Sequence, residues 1–162
     1  MTKKKLIIWY ILIIFMILIV GLIAIYYRLK EKNQVYENFD IAMLKENIET
    51  QANFNSNRMQ DITIENVEEI LSIDKMFVDE VIGKVPLFQI SSGMYVVIHT
   101  KEENVKTIED KLISYGNEHE EEWSNYMEDQ YELVKQRKIG HVGNYVYLII
   151  SENAEDMIEQ LN

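Results

Sequence analysis

Hydrophobic positions fall into one long unbroken run followed by shorter periodic stretches. From Leu6 to Tyr27 the chain carries no charge, and Gly21 alone is not a large apolar, aromatic or Ala residue. As a helix, 22 residues would extend about 33 Å, enough to cross a hydrocarbon core of roughly 30 Å. Trp9 and Tyr10 stand near one end and Tyr26 and Tyr27 at the other. Aromatic side chains favour the headgroup boundary, so these pairs read as two belts. The pattern predicts a single transmembrane helix over residues 6–27. A cleaved signal peptide would have a shorter apolar region and small residues at its exit. Here the exit is Ala24-Ile25-Tyr26-Tyr27.

Beyond the run, the periods change. Residues 28–61 are rich in Asn, Gln, Glu and Lys, with a weak helical stripe through Phe39, Met43, Leu44 and Ile48; they read as a stalk. The domain proper is then expected over residues 62–162. Thr63 to Ile73 has the look of a short helix, with Thr63 as its cap and Val67, Ile70 and Leu71 on one face. Met76 to Thr100 suggests two strands, with Gly83 as a break and Pro86 at a strand edge or start. The second strand, Met94 to His99, is almost wholly apolar and so is expected to be central.

One long helix is predicted from Glu102 to Arg137. Val105, Ile108, Leu112, Tyr115, His119, Trp123, Tyr126, Gln130 and Val134 recur at a mean step near the α-helical period. Ile139 to Asn144 reads as a flexible entry to a strong strand, Tyr145 to Ile150, and Ser151 as the cap of a last helix from Glu152 to Leu161. The expected fold class is α+β. A small, about three-stranded sheet would be packed by one long and two short helices, preceded by the transmembrane helix.

Charge narrows the possible partners. Residues 1–33 hold six of the 16 basic and one of the 27 acidic residues, so the remainder carries ten basic against 26 acidic, a net of −16. Such a surface repels nucleic-acid phosphates and anionic lipid headgroups, and no nucleic-acid partner is expected. The absence of cysteine excludes disulfides, thiolate metal sites, cysteine nucleophiles and lipidated cysteine. The expected partners are the membrane itself, through Leu6 to Tyr27, and another envelope or membrane protein. Lys and Arg tie at three on each side of the run. The short tail of residues 1–5 is readily retained, which places the N-terminus in the cytoplasm and the acidic domain outside the cell membrane.

The C-terminal half carries a resemblance. Tyr95-Val96-Val97-Ile98 leads to Lys101, followed by Asp129-Gln130-Tyr131-Glu132-Leu133-Val134 and Gly143-Asn144-Tyr145-Val146-Tyr147-Leu148-Ile149-Ile150-Ser151. Together these resemble a family of uncharacterised Gram-positive bacterial proteins, domain of unknown function number 4358, over roughly residues 62–161. Pro86-Leu87 sits where that family carries a short Pro-containing strand. The resemblance implies an exported or membrane-anchored α+β domain and no particular activity. The chain departs from many members in lacking a lipidated cysteine and a proline just before the Gln-Tyr pair.

Candidate chemistry is sparse. His119 precedes Glu120-Glu121-Glu122, but the histidine belongs to the apolar stripe and the glutamates to the outer face, and zinc would need further ligands from elsewhere. His141 lies among glycines with no acid or nucleophile placed by sequence to partner it. His99 ends a strand. Gly140 and Gly143 precede a strand without the Lys-Ser/Thr of a phosphate loop; turn geometry accounts for them. No catalytic residue, cofactor or metal site is expected. Tyr145 and Tyr147 project from one sheet face, and with Pro86 and His141 they form the candidate interaction face, unless the long helix covers it with Trp123 and Tyr126. The expected function is that of a membrane-anchored, non-catalytic interaction or accessory module of the cell envelope. The alternative is an extracytoplasmic ligand sensor or enzyme in which His141, Lys101 or the carboxylates converge on a pocket.

Overall fold

The computed structural model describes residues 12–28, 41–51, 54 and 57–161. The chain divides into two compact units, Met1–Phe39 and Asp40–Asn162.

In the first unit, helix α1 is described over residues 12–28, and its large apolar side chains are exposed. No helix among the described residues is long and apolar enough to cross a membrane. The expectation of a transmembrane helix ahead of the domain is corrected to that extent. Of the expected span, residues 12–27 are described, all of them in α1. The beginning of the expected span, residues 6–11, lies outside the described residues, as do residues 1–5.

The second unit is an α+β domain on a five-stranded antiparallel sheet of order β1-β2-β3-β5-β4. The strands are β1 (Met59–Asp61), β2 (Glu80–Pro86), β3 (Met94–His99), β4 (Lys138–Val142) and β5 (Tyr145–Ile150). The expected count of about three strands is thus too low. β4 occupies the segment read as a flexible entry. It pairs with β5 from Lys138↔Ile149 to Val142↔Tyr145, leaving Gly143-Asn144 as a two-residue loop. Gly143 has φ 56° while Asn144 is not in the positive-φ region, the pattern of a type II′ turn with glycine first. β1 is a three-residue edge strand within the supposed stalk, paired with Lys84, Val85 and Pro86.

Helices lie on both faces of the sheet. One face takes α3 (Val67–Leu71), α4 (Val105–Trp123) and α5 (Glu128–Lys135). Val96 and Ile98 of β3, with Val146 and Leu148 of β5, pack there against Val67, Leu71, Val105, Ile108, Leu112, Trp123 and Val134. The opposite face is associated with α2 (Ile41–Gln51) and α6 (Ala154–Glu159). Their Ile41, Leu44, Ile48, Ala154 and Met157 are buried, as are Tyr95, Val97 and Ile149 on that side of the strands. β3 is therefore covered on both sides, which its continuous apolar run requires. The compact unit takes in α2 and β1 from residues 41–61, so the ordered domain begins well before Ile62.

The expected single helix over 102–137 is two. α4 ends at Trp123 and α5 starts at Glu128. Ser124 Oγ donates back to Glu121 O at 2.7 Å, and Met127 is extended at φ −134°, ψ 119°. A side-chain hydroxyl competing for helix carbonyls is one way to break a weak stretch. The apolar stripe stays in phase across the break, but Tyr126 is 61% exposed.

Candidate functional site

The β2–β3 connection, residues 87–93, exposes three large apolar side chains close together in sequence: Leu87 at 48%, Phe88 at 60% and Ile90 at 52%. Beside them runs an open cleft of about 540 Å³, within the range of small-ligand and short-peptide sites. Phe54, Pro86, Phe88 and Ile90 supply apolar walls, joined by Leu133 of α5 and Ile150 of β5; Arg58 and Glu152 also line it. Asn153 is shared with an adjoining hollow lined by Asp156, Glu159 and Gln160.

The loop is held where it turns back into β3. Ser92 is fully buried. Its N–H donates to Gln130 Oε1 at 2.9 Å, and its hydroxyl donates to the Gln130 carbonyl at 3.1 Å. Gln130 thus satisfies a polar group at a point where the chain leaves regular structure, as a buried donor requires. One side of the cleft is fixed to α5 while Leu87, Phe88 and Ile90 stay exposed.

Close by, His119 stacks on Tyr115 with ring centroids 5.9 Å apart and meets Trp123 edge-on at 6.1 Å. Its side chain is largely buried, with Nδ1 3.6 Å from Glu122. Burial lowers the pKa of the ring; the neighbouring Glu122 and the backbone of Ser92 pull the other way. No partner meets Nε2 at hydrogen-bond geometry. Among the described residues, no three His, Cys, Asp or Glu side chains are grouped to hold a metal ion.

On the opposite face, α2 is tied to the sheet by a half-buried charge cluster. The Tyr95 hydroxyl donates to Glu49 Oε1 at 3.0 Å. Lys84 lies 3.7 Å from Glu49 and 3.5 Å from Asp61, and Lys45 donates to Asp61 at 3.0 Å. The Lys45 hydrogen bond, aided by Lys84, holds the Asp61 carboxyl below the usual carboxylate range. Burial, then Glu49, pushes the Tyr95 hydroxyl far up, so it stays protonated and donates. This cluster joins α2, β1, β2 and β3 and does not line the cleft.

The candidate residues read from the sequence are dispersed. Pro86 lines the cleft. Tyr145 and Tyr147 share the sheet face opposite α4, so the long helix does not cover them. Tyr145 is nonetheless buried and meets the His99 ring at a tilt, with centroids 4.6 Å apart. Tyr147 is half-buried, its ring lying over Gly140. His141, on edge strand β4, lies 3.5 Å from Glu109 of α4. Neither His141 nor Lys101 is among the residues lining the cleft. The loop itself was not singled out from the sequence: Pro86-Leu87 reads as a short strand and Gln89 to Gly93 as a turn. The signal was available: three large apolar residues in a segment without strand or helix period.

The model for Domain of unknown function (DUF4358) matches residues 52–151. The match spans more than half of the chain, and the protein belongs to this family. It takes in all five strands, the β2–β3 loop, Ser92 and Gln130. No curated protein and no solved structure matches the chain.

Proposed function

We propose that this protein is a non-catalytic interaction module, held at the cell membrane by its N-terminal apolar segment, which offers the β2–β3 loop and its cleft to another envelope or membrane protein. The observation that carries the reading is the exposure of Leu87, Phe88 and Ile90 on a loop whose base is pinned by Ser92 and Gln130. Neighbouring exposed apolar side chains at the rim of a cleft mark a binding surface more often than a tolerated accident. Attachment is supported by the uncharged run from Leu6 to Tyr27 and by the exposure of the large apolar side chains from Leu12 to Tyr27 in α1. Export of the acidic domain, with the N-terminus in the cytoplasm, rests on the short basic tail.

A photo-crosslinking residue placed at 88 in the full chain, in intact membranes, tests the module. A reproducible adduct that is absent when the crosslinker stands at Glu103 is expected. No adduct, or the same pattern from both positions, overturns the reading. Retention in the membrane pellet through alkaline extraction tests attachment, and release into the supernatant would defeat it.

A further inference from the structure

The chemistry of the cleft narrows its partner. The apolar wall made by Phe54, Pro86, Phe88, Ile90 and Leu133 calls for large apolar side chains. The flank toward α6 is acidic: Glu152 lines the cleft itself, and Asp156 and Glu159 line the hollow that continues from Asn153. Among the described residues, Arg58 is the one cation lining the cleft. With these included, the chain from residue 34 onward carries a net −16. An anionic partner would approach against that field, whereas a cationic one is drawn in. The same field opposes insertion of the loop among anionic lipid headgroups.

We infer that the cleft beside the β2–β3 loop binds a short segment of a partner protein in which large apolar side chains are flanked by Lys or Arg. The inference rests on the interaction-module reading and deepens it. The apolar residues of the segment seat against Phe88 and Ile90, and its cations lie along Glu152 and Asp156. Apolar contact supplies most of the affinity, and charge supplies the on-rate and the choice among partners.

The test uses the full chain in phosphatidylcholine nanodiscs and three fluorescent peptides. One mixes Leu and Phe with Lys, the second replaces every Lys by Glu, and the third replaces Leu and Phe by Ser. The first should bind at least about tenfold more tightly than either of the others, a difference of about 1.4 kcal/mol. Its binding should weaken by about the same factor in the double variant Phe88→Ser/Ile90→Ser, measured against the same discs so that adsorption to lipid cancels. The variant Glu152→Lys/Asp156→Lys should lose the Lys peptide and gain the Glu peptide. These side chains are at the surface, so the fold survives, and unchanged fluorescence of Trp123 in a Trp9→Phe background verifies it. Equal binding of the Lys and Glu peptides, no binding of the Lys peptide, or indifference to both variants overturns the inference. The crosslink from residue 88 separates the two failures. An adduct mapped to an acidic or wholly polar segment sinks the inference and leaves the module standing. An adduct with lipid, or none, sinks both.

Discussion

Ser92 and Gln130, 38 positions apart in the chain, are joined through both the backbone N–H and the hydroxyl of the serine. The pair ties the end of the β2–β3 loop to α5, and it couples stability to the shape of the cleft. Gln130→Ala would leave a fully buried N–H without its acceptor, a loss of about 1–3 kcal/mol. Urea unfolding followed by tryptophan fluorescence measures it. The same variant should weaken binding at the cleft although Gln130 does not line it. A variant as stable as the natural chain would show that another acceptor takes over.

The buried histidine makes stability depend on pH in a defined window. The folded state holds the His119 pKa below its ordinary value of 6.5, so the unfolded chain binds the extra proton first. The neutral ring's contribution is therefore complete above about pH 6.5 and is lost as pH falls from there toward the folded value. His119→Phe keeps an aromatic ring between Tyr115 and Trp123 and cannot titrate. The urea midpoint of the natural chain should fall between about pH 7 and pH 5, and that of the variant should fall less. Asp61 acts lower: its depressed pKa stabilises the fold above the ordinary carboxylate range, and that contribution disappears only in stronger acid.

Two glycines of the sheet should respond differently to alanine. A Cβ at Gly83 would stand 2.6 Å from the Tyr95 carbonyl and 3.0 Å from Val96 Cα. Both are backbone of the central strand and cannot move aside, so Gly83→Ala should cost about 3 kcal/mol or more. A Cβ at Gly140 meets the Tyr147 hydroxyl at 2.8 Å and its ring at 3.2 Å. That half-buried side chain can swing away, and Gly140→Ala should cost about 1 kcal/mol. Chemical denaturation of the two variants decides the order.

Tyr95→Phe removes the hydroxyl that reaches Glu49 and keeps the ring against Phe54. A loss of about 1–2 kcal/mol is expected. Hydrogen exchange should quicken first in α2, because the removed bond joins that helix to β3. Uniform change across the sheet would contradict this placement.

How far the sequence could be read follows from what each strand buries. β3 and β5 are apolar almost throughout because helices lie on both faces, and a run such as Tyr145-Val146-Tyr147-Leu148-Ile149-Ile150 stands out by composition alone. β4 hides because its middle residue is Gly140, whose missing side chain is supplied by the Tyr147 ring from the next strand. β1 hides because Met59-Gln60-Asp61 is short, polar and at the edge. The α4–α5 break escapes a periodicity argument because Trp123, Tyr126 and Gln130 keep helical spacing while the chain leaves the helix. Of the candidate site, Pro86 is expected at a strand edge or start from its missing N–H, whereas it is the last residue of β2, a strand flanked by β1 and β3. The cleft beside it needs Phe54, Leu133 and Ile150 from distant parts of the chain, and no local pattern brings these together.

The strand order also constrains how the chain reaches its fold. β2 with β3, and β4 with β5, are each neighbours in sequence and can zip locally. The β3–β5 seam joins Met94 to Ile150 and His99 to Tyr145, with α4 and α5 in the intervening chain. Closing it means docking two preformed ribbons across a sequence separation of 46–56 residues, and that closure should set the refolding rate. Until then the apolar flanks of β3 and β5 are bare. The newly made chain is thus most exposed to mispairing with its own copies after β3 has emerged and before β5 arrives.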